Sequence, residues 1–187
     1  MHKKYLHTPL EKGEITALNL GDLVYLSGDV YTARDRAHQR ILDYASKGKE
    51  IPVKNCAVIY HCGPLVRLRE DGEWEIIAAG PTTSARMNEA TPKVLEKLRI
   101  RAIIGKGGMD ASTRAAMRDY GCVYLAMTGG AAVLAATRIE RVENVHWTDL
   151  GMAEAVWHLR VAEFGPLVVG IDARGNSLYV RIHEAAK

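Results

Sequence analysis

The sequence is poor in aromatic residues, which make up 6% of its 187 residues and include a single phenylalanine. Because 48% of the residues are still hydrophobic, we expect a core built mainly from aliphatic side chains and alanine. No apolar run approaches the roughly 20 residues that cross a bilayer, and the N-terminal residues lead into no signal-like stretch. These absences predict a soluble, cytoplasmic protein with one domain over residues 1–187.

Cysteine is scarce as well, and Cys56, Cys62 and Cys122 have none of the spacings of a metal or redox motif. We expect Cys56 and Cys122 to be small buried hydrophobic residues at strand positions. No pair of histidines has the spacing of metal ligands. The net charge of +3 comes from scattered basic residues, so no run of lysine and arginine follows a nucleic-acid backbone. We therefore predict no metal ligands and no nucleic-acid partner for this chain.

The pattern of secondary structure changes near residue 80. Before it the chain is mainly β, and an Asp-Gly pair between two apolar runs predicts a hairpin at residues 65–79. After it strands and helices alternate, which favours parallel pairing with right-handed crossovers. Together these patterns indicate a single α/β domain. Further expectations are a short strand over 15–18, a strand over 23–28 that ends at a glycine, a short helix over 152–159 and a closing hairpin of strands 167–171 and 178–181.

Two turns place a cation beside flexible or hydroxyl-bearing backbone, Gly80–Arg86 and Gly105–Gly108. Arg86 lies four residues after Thr82, so a helical turn would put both side chains on one face. Lys106 lies in a glycine-rich turn at the end of a predicted strand, where backbone N–H groups can approach an anion. Cations on two successive turns predict a ligand with more than one negative group.

Each of these residues also has a purely structural interpretation. Arg34 follows a predicted strand, and its planar guanidinium can bind a carboxylate through two hydrogen bonds or pair with a neighbouring side chain in solvent. The hydroxyls of Thr82, Thr83 and Ser84 fit helix capping as well as ligand binding. A threonine that acts as a base needs strong activation, because an unassisted hydroxyl keeps its proton at neutral pH.

Two further features have weaker functional interpretations. The turn at Lys106 is not a nucleotide phosphate loop, because the full Gly-x4-Gly-Lys-Ser/Thr pattern is absent and no hydroxyl ligand for magnesium stands between Lys106 and Asp110. His38 lies one helical turn after Arg34 and could line the same site or pack at the start of the helix. For His61 we favour a structural, hydrogen-bonded role.

Five segments in order along the chain carry a resemblance to a known family: Thr32–His38, His61–Pro64, Gly80–Met87, Gly105–Met109 and Glu163–Pro166. They resemble the C-terminal domain, or separate β subunit, of class I iron-sulfur hydro-lyases, which comprise class I fumarases and L-tartrate dehydratases. The similarity extends through Gly151–Trp157 and Asp172–Tyr179, and so covers nearly the whole chain.

The resemblance implies a swivelling β/β/α domain with a mixed sheet. It implies that a [4Fe-4S] cluster is held by the cysteines of a cluster-bearing α subunit, and not by this chain, and that αβ units form a dimer. It further implies that Arg34, Arg86 and Lys106 bind the carboxylates of a small dicarboxylate substrate. Thr82 is then the candidate base at the carbon that gains or loses a proton.

The substrate is left open among related acids. We expect reversible hydration of fumarate to (S)-malate, since residues 34–38 fit a fumarase better than a tartrate dehydratase. L-tartrate dehydration and hydration of a methyl-substituted fumarate are the alternatives within the family. A different class is a non-catalytic dicarboxylate-binding module, in which the same cations would hold a ligand without chemistry.

Overall fold

The computed structural model describes residues 2–185 and shows a mixed α/β fold. No helix in this part of the chain is long and apolar enough to cross a membrane. The elements are β1 (Lys3–His7), α1 (Lys12–Thr16), β2 (Leu23–Thr32), α2 (Asp35–Ser46), β3 (Val58–Tyr60), β4 (Leu65–Leu68), β5 (Trp74–Ala78), α3 (Thr91–Leu98), β6 (Ala102–Gly105), α4 (Ala111–Tyr120), β7 (Val123–Ala126), α5 (Ala132–Ala136), β8 (Ile139–His146), β9 (Val156–Ile171) and α6 (Leu178–Ala185).

The main sheet closes on itself. Its strands follow the order β1-β2-β3-β6-β7-β9-β8, and β2 also pairs with β9, so that β2, β3, β6, β7 and β9 form a ring. Strands β2, β3, β6 and β7 are parallel to one another, whereas β9 is antiparallel to both β2 and β7. The predicted α/β fold with a mixed sheet is therefore confirmed. The carboxyl ends of four parallel strands meet at one edge of the ring, called here the carboxyl edge.

Alternate residues of the ring strands face two separate cores, as the two-residue period of a β-strand requires. Val58, Ile104 and Leu125 belong to one core, which the strands of the ring share among themselves. Ile59 and Ile103 belong to the other, which packs beneath α2, α3 and α4. Because both faces of the central strands are buried, these strands read in the sequence as short continuous apolar runs.

Two predictions for the first thirty residues were wrong. The expected strand at 15–18 is replaced by helix α1, whose start is stabilised by a capping box between Glu11 and Glu14. The expected stop at Gly28 is instead a bulge inside β2, where this glycine has a φ of +106°. A Cβ at Gly28 would lie 2.3 Å from Thr8 Oγ1, so glycine here reflects close packing rather than a strand end.

Two predictions for the last part of the chain were wrong as well. The expected helix over 152–159 is a turn followed by the start of the long strand β9. Strand 167–171 exists as the end of β9, but residues 178–185 form helix α6 and not the second arm of a hairpin. The carboxylate of Asp172 accepts hydrogen bonds from the backbone N–H groups of Arg174 and Asn176, and this turn leads the chain into the helix.

Candidate active site

The four residues predicted for the site lie on loops at the carboxyl edge. Arg34 follows β2 and is the N-cap residue of α2, and Lys106 directly follows β6. Thr82 lies between them: its N–H donates to the carbonyl of His61 at 2.7 Å, and its carbonyl accepts from the N–H of Lys106 at 3.4 Å. Backbone hydrogen bonds therefore bring the turns at residues 80–86 and 105–108 side by side.

The geometry within the first turn differs from the predicted one. A 3₁₀ turn spans Ser84–Met87, and Thr82 precedes it. The expectation that Thr82 and Arg86 share a face of one helical turn was therefore wrong. Arg86 reaches the edge from the short 3₁₀ turn, whereas Thr82 is held by the backbone of His61 and Lys106.

Arg34 is fixed by its surroundings. Its side chain is 18% exposed, and its Nε lies 3.4 Å from Oε1 of Glu154, an ion pair without the alignment of a hydrogen bond. The other oxygen of Glu154 accepts the backbone N–H of Arg36 at 3.0 Å, so one carboxylate fixes both the guanidinium and the start of α2. A Cβ at Gly63 would lie 2.6 Å from the backbone carbonyl oxygen of Ala153 and 2.6 Å from Arg34 Nη1, and glycine is therefore required there.

Arg86 is more accessible, with 52% of its side chain exposed. Its Nη2 lies 2.9 Å from Oδ2 of Asp35, and here too the contact is an ion pair without hydrogen-bond alignment. Asp35 is the first residue of α2 and directly follows Arg34, so the two arginines are linked through the start of one helix. Both arginines thus have carboxylate partners in this chain while lying at the carboxyl edge.

Lys106 differs from the arginines, because none of the ion pairs found within residues 2–185 involves it. Its side chain is exposed, and a Cβ at Gly129 would lie 3.5 Å from its Nζ. The next two residues, Gly107 and Gly108, have φ values of +83° and +73°, which glycine adopts without strain. The turn therefore presents an exposed ammonium group that has no ion-pair partner among the described residues.

Behind these loops lies a buried polar network. The Nδ1 of His61 is 2.9 Å from Ser84 Oγ, which is 3.0 Å from the hydroxyl of Tyr124. The Nδ1 of His38 donates to the carbonyl of Arg34 at 2.9 Å, and the His38 and His61 rings pack edge to face with 5.2 Å between their centroids. Burial lowers the pKa of His38, and burial together with the neighbouring His38 lowers the pKa of His61 well below its ordinary value. Both histidines are therefore neutral at pH 7, and the structural role favoured for His61 fits its position.

The concave surfaces near the edge do not enclose all four predicted residues. A concavity of about 440 Å³ is lined by Arg86 and Asp35 and extends along α2 towards Asp43. Arg34, Thr82 and Lys106 lie outside its wall. The concavity beside Arg86 therefore does not bring the four predicted residues together.

The thiols of this chain do not fit an iron-sulfur cluster. Cys62 and Cys122 are fully buried, and burial raises the pKa of Cys62 to about 12 and also raises the pKa of Cys122. Cluster ligands are thiolates, so thiols held in the protonated form are poor candidates. Cys56 is half-buried in a loop before β3, which corrects its predicted strand position, whereas Cys122 is buried as predicted.

In the part of the chain that the structure describes, no three His, Cys, Asp or Glu side chains are grouped so that they could hold a metal ion.

Two acidic residues of the site were not predicted from the sequence. Glu154 approaches Arg34, and Asp35 approaches Arg86, only through the tertiary fold. Gly63 was a possible signal for the first pair, because it leaves space for the guanidinium. The signal was ambiguous, since a glycine before a proline is equally typical of an ordinary turn.

The closed mixed sheet defines a mixed α/β fold with cations on the loops at its carboxyl edge. Residues 2–182 match the family described as Fumarase C-terminus. The chain is 44% identical over 183 residues to a Methanocaldococcus jannaschii protein provisionally named L(+)-tartrate dehydratase subunit beta, a match that covers 97% of this chain and 93% of the relative. It is 41% identical over 177 residues to the L(+)-tartrate dehydratase subunit beta of Escherichia coli K12, with 94% and 86% covered.

A third relative is a longer protein from Geobacillus stearothermophilus that is provisionally named a class I fumarate hydratase. It is 42% identical over 182 residues, which are 97% of this chain but 34% of the relative. The chain belongs to the Fumarase C-terminus family, whose members here are β subunits or C-terminal parts of class I hydro-lyases. The resemblance found in the sequence is confirmed, and the role of the chain is that of a hydro-lyase subunit.

Proposed function

We propose that this chain is the β subunit of a two-component hydro-lyase that hydrates fumarate reversibly to (S)-malate. The observation that carries the proposal is that Arg34, Arg86 and Lys106 lie at one edge. The backbone of Thr82 is hydrogen-bonded there to His61 and Lys106. Three cations on three loops match a substrate with two carboxylates, because each carboxylate can be paired while a third charge is left for the reaction.

In this proposal the three cations have two different tasks. The arginines bind and orient the carboxylates through their planar forks, and the pairing of Arg34 with Glu154 keeps that guanidinium in place before the substrate arrives. Lys106 stabilises the negative charge that builds up on a carboxylate when the neighbouring carbon loses its proton. That charge is larger in the transition state than in the bound substrate, so Lys106 acts mainly on the rate.

Thr82 is the proposed base. In the dehydration direction its Oγ1 takes the proton from the carbon beside the hydroxyl-bearing carbon, and in hydration it returns that proton. An isolated threonine hydroxyl is too weak a base for this step, so it needs a positive environment to lower its pKa. Lys106, whose backbone N–H donates to the carbonyl of Thr82, is a neighbouring residue that can supply such a charge.

The proposed partner is a cluster-bearing α subunit, and two αβ units are proposed to form a dimer. A [4Fe-4S] cluster held by that subunit would supply a Lewis acid for the substrate hydroxyl. Two observations support a partner of this kind. The names of the two β-subunit relatives imply an α subunit, and the concavity beside Arg86 is not lined by Arg34, Thr82 or Lys106.

L-tartrate is the second candidate substrate, and a specific observation favours it. The relatives of matching length are tartrate dehydratase β subunits, whereas the fumarate hydratase relative is a longer chain. Tartrate has one more hydroxyl than malate, and a site that selects it must offer that group a hydrogen-bonding partner. The identities of 41 to 44% are too similar to separate the two substrates.

Anaerobic reconstitution tests the proposal. This chain is mixed with a cluster-bearing α subunit, and initial rates are measured with fumarate, (S)-malate, L-tartrate and mesaconate, the methyl-substituted fumarate, with each component also assayed alone. We expect activity only in the mixture and the highest kcat/KM with fumarate. A higher value with L-tartrate would favour the second candidate. No activity from a stable complex with an intact cluster would favour a dicarboxylate-binding module.

A further inference from the structure

A network of buried hydrogen bonds connects the turns at residues 80–86 and 105–108 on their buried side. The N–H of Gly108 donates to the hydroxyl of Tyr124 at 3.4 Å, that hydroxyl lies 3.0 Å from Ser84 Oγ, and Ser84 Oγ lies 2.9 Å from Nδ1 of His61. The side chains of Ser84, Tyr124 and His61 are all completely buried. None of these groups touches solvent, so their polar atoms depend on one another for hydrogen bonds.

The packing around this hydrogen-bond network requires glycine at two positions beside Lys106, Gly105 and Gly108. A Cβ at Gly105 would lie 2.0 Å from Ser84 Oγ and 3.1 Å from the hydroxyl of Tyr124. A Cβ at Gly108 would lie 2.7 Å from the ring of Tyr179, which packs against Tyr124. The glycine-rich sequence around Lys106 therefore makes room for buried hydroxyl and aromatic groups on its inner side.

Three members of this hydrogen-bond network, Ser84, His61 and Gly108, adjoin a segment that carries a site residue. Ser84 is two residues after Thr82, and the carbonyl of His61 accepts the N–H of Thr82. Gly108 is two residues after Lys106. The backbone N–H of Ser84 donates to the carbonyl of Lys106 at 2.9 Å, so Ser84 holds the Lys106 turn through both its main chain and its side chain.

We propose that Ser84 and Tyr124 are positioning residues, which hold Thr82 and Lys106 at a fixed separation through the hydrogen bonds to His61 and Gly108. The catalytic part of this inference rests on the proposed function, whereas the structural part does not. Fixed separation matters because small misplacements of reacting groups reduce rates strongly. Buried hydrogen-bonded networks are suited to this task, since each bond restricts the next.

Three variants test the inference. Ser84→Ala removes the hydrogen bonds of the Ser84 hydroxyl to His61 and Tyr124. Tyr124→Phe removes the bonds of the Tyr124 hydroxyl to Ser84 and to the N–H of Gly108 and keeps the bond between Ser84 and His61. Tyr31→Phe is the matched control: Tyr31 is also buried, at 2% exposure, and its hydroxyl has no hydrogen-bond partner within residues 2–185. All three changes delete a single oxygen and add no atoms. Circular dichroism and the melting temperature establish that each variant is folded.

Amide hydrogen exchange followed by NMR is the first measurement, on the full chain without a partner. We expect the amides of Thr82, Ser84 and Lys106 to exchange about tenfold faster in Ser84→Ala, by a smaller factor in Tyr124→Phe and unchanged in Tyr31→Phe. The amides of α4 serve as an internal reference and should keep their rates. Unchanged exchange at the three amides in Ser84→Ala would overturn the proposal.

Steady-state kinetics of the reconstituted enzyme are the second measurement. We expect kcat to fall about tenfold in Ser84→Ala, with KM changed less than about threefold, and to fall less in Tyr124→Phe. A merely structural role would lower the melting temperature and leave kcat unchanged, which would overturn the positioning role. If the wild-type mixture has no activity, the proposed function fails, and amide exchange still decides whether Ser84 holds the two turns.

Discussion

Both ends of the parallel strands carry cations, but the two ends use them differently. At the amino ends, a concavity of about 550 Å³ is lined by Lys12, Arg99, Arg101 and Arg118. At the carboxyl edge lie Arg34, Arg86 and Lys106. The number of positive groups alone would not show which end binds an anion.

The surroundings of the cations separate the two ends. Arg101 donates to the carbonyls of Tyr120 and Gly121 at 3.2 and 3.3 Å and so neutralises the C-terminal end of α4. Arg118 is paired with the neighbouring Asp119 at 2.9 Å. At the carboxyl edge α2 begins at Asp35 after β2 and α4 begins at Ala111 after β6, so the N-terminal ends of both helices lie on this side of the sheet. The two ends of the strands therefore differ in which end of the helices lies beside the cations.

The largest expected effect concerns Thr82. In Thr82→Val the side chain keeps its shape and loses the hydroxyl, so kcat of the reconstituted enzyme should fall about 10³-fold with little change in KM. Thr16→Val at the amino end is the matched control, because the Thr16 hydroxyl bonds only to carbonyls of its own helix. A Thr82→Val enzyme with kcat within threefold of the wild type would remove Thr82 as the base.

The next effect concerns Lys106. We expect Lys106→Met to lower kcat/KM about 10²-fold, because it removes a charge that stabilises the transition state and keeps most of the side-chain length. Arg118→Met, which deletes a cation at the amino end, should leave kcat/KM unchanged. Initial rates over a range of substrate concentrations give both values. Equal losses in the two variants would mean that the rate depends on the overall positive charge of the chain and not on a cation at the carboxyl edge.

The two arginines should differ from each other. Replacement by lysine keeps the charge and loses the planar fork, so Arg34→Lys should lower kcat/KM about tenfold or more. Arg86→Lys should cost less, because Arg86 is 52% exposed and Arg34 only 18%. Both variants are measured in the reconstituted enzyme. Unchanged turnover in Arg86→Lys would remove that residue from the site, and a larger loss there than in Arg34→Lys would reverse the ranking.

The smallest predicted effect is a dependence of stability on pH that comes from the carboxyl edge. The pKa values of His38 and His61 are lower in the folded chain than in the unfolded one, so the unfolded chain binds more protons once the pH falls below about 6.5. The free energy of unfolding should therefore decrease as the pH falls from 6.5, by up to about 1.4 kcal/mol per pH unit for each histidine.

Urea unfolding between pH 7 and 5 measures this dependence. His61→Gln keeps an amide that can bond to Ser84 but cannot titrate, so its stability should depend less steeply on pH than that of the wild type. Above pH 6.5 the two curves should run parallel. The same slope in both proteins below pH 6.5 would show that His61 does not take up a proton on unfolding in this range.

The sequence predicted the alternating α/β part of the fold better than its ends. The runs that became β6 and β7 are short, apolar and bounded by glycine, and their pairing follows from the helices between them. Residues 178–185 were misjudged because the side chain of Asp172 organises the preceding turn, and a short apolar run does not distinguish a strand from a helix.

Prediction of the candidate site was also limited to residues that have a local sequence pattern. Arg34, Thr82, Arg86 and Lys106 could be selected because each stands at a strand end or in a turn, where local sequence carries information. Glu154 is 120 residues from Arg34 along the chain, and its role in fixing that arginine depends on the closure of β9 against β2. Contacts of this kind have no local signal, so neither the ion pairs nor the buried bonds behind the turns could be predicted.

Lysine acetylation of the reconstituted complex tests the central claim most directly. Succinate is a saturated four-carbon dicarboxylate that the enzyme cannot hydrate, so it can occupy the site without turnover. The extent of modification of Lys106 and Lys12 is measured by mass spectrometry with and without succinate. We predict that succinate protects Lys106 at least about fivefold and leaves Lys12 at the amino end unchanged. No protection of Lys106, or equal protection of both lysines, would contradict the assignment of substrate binding to the carboxyl edge.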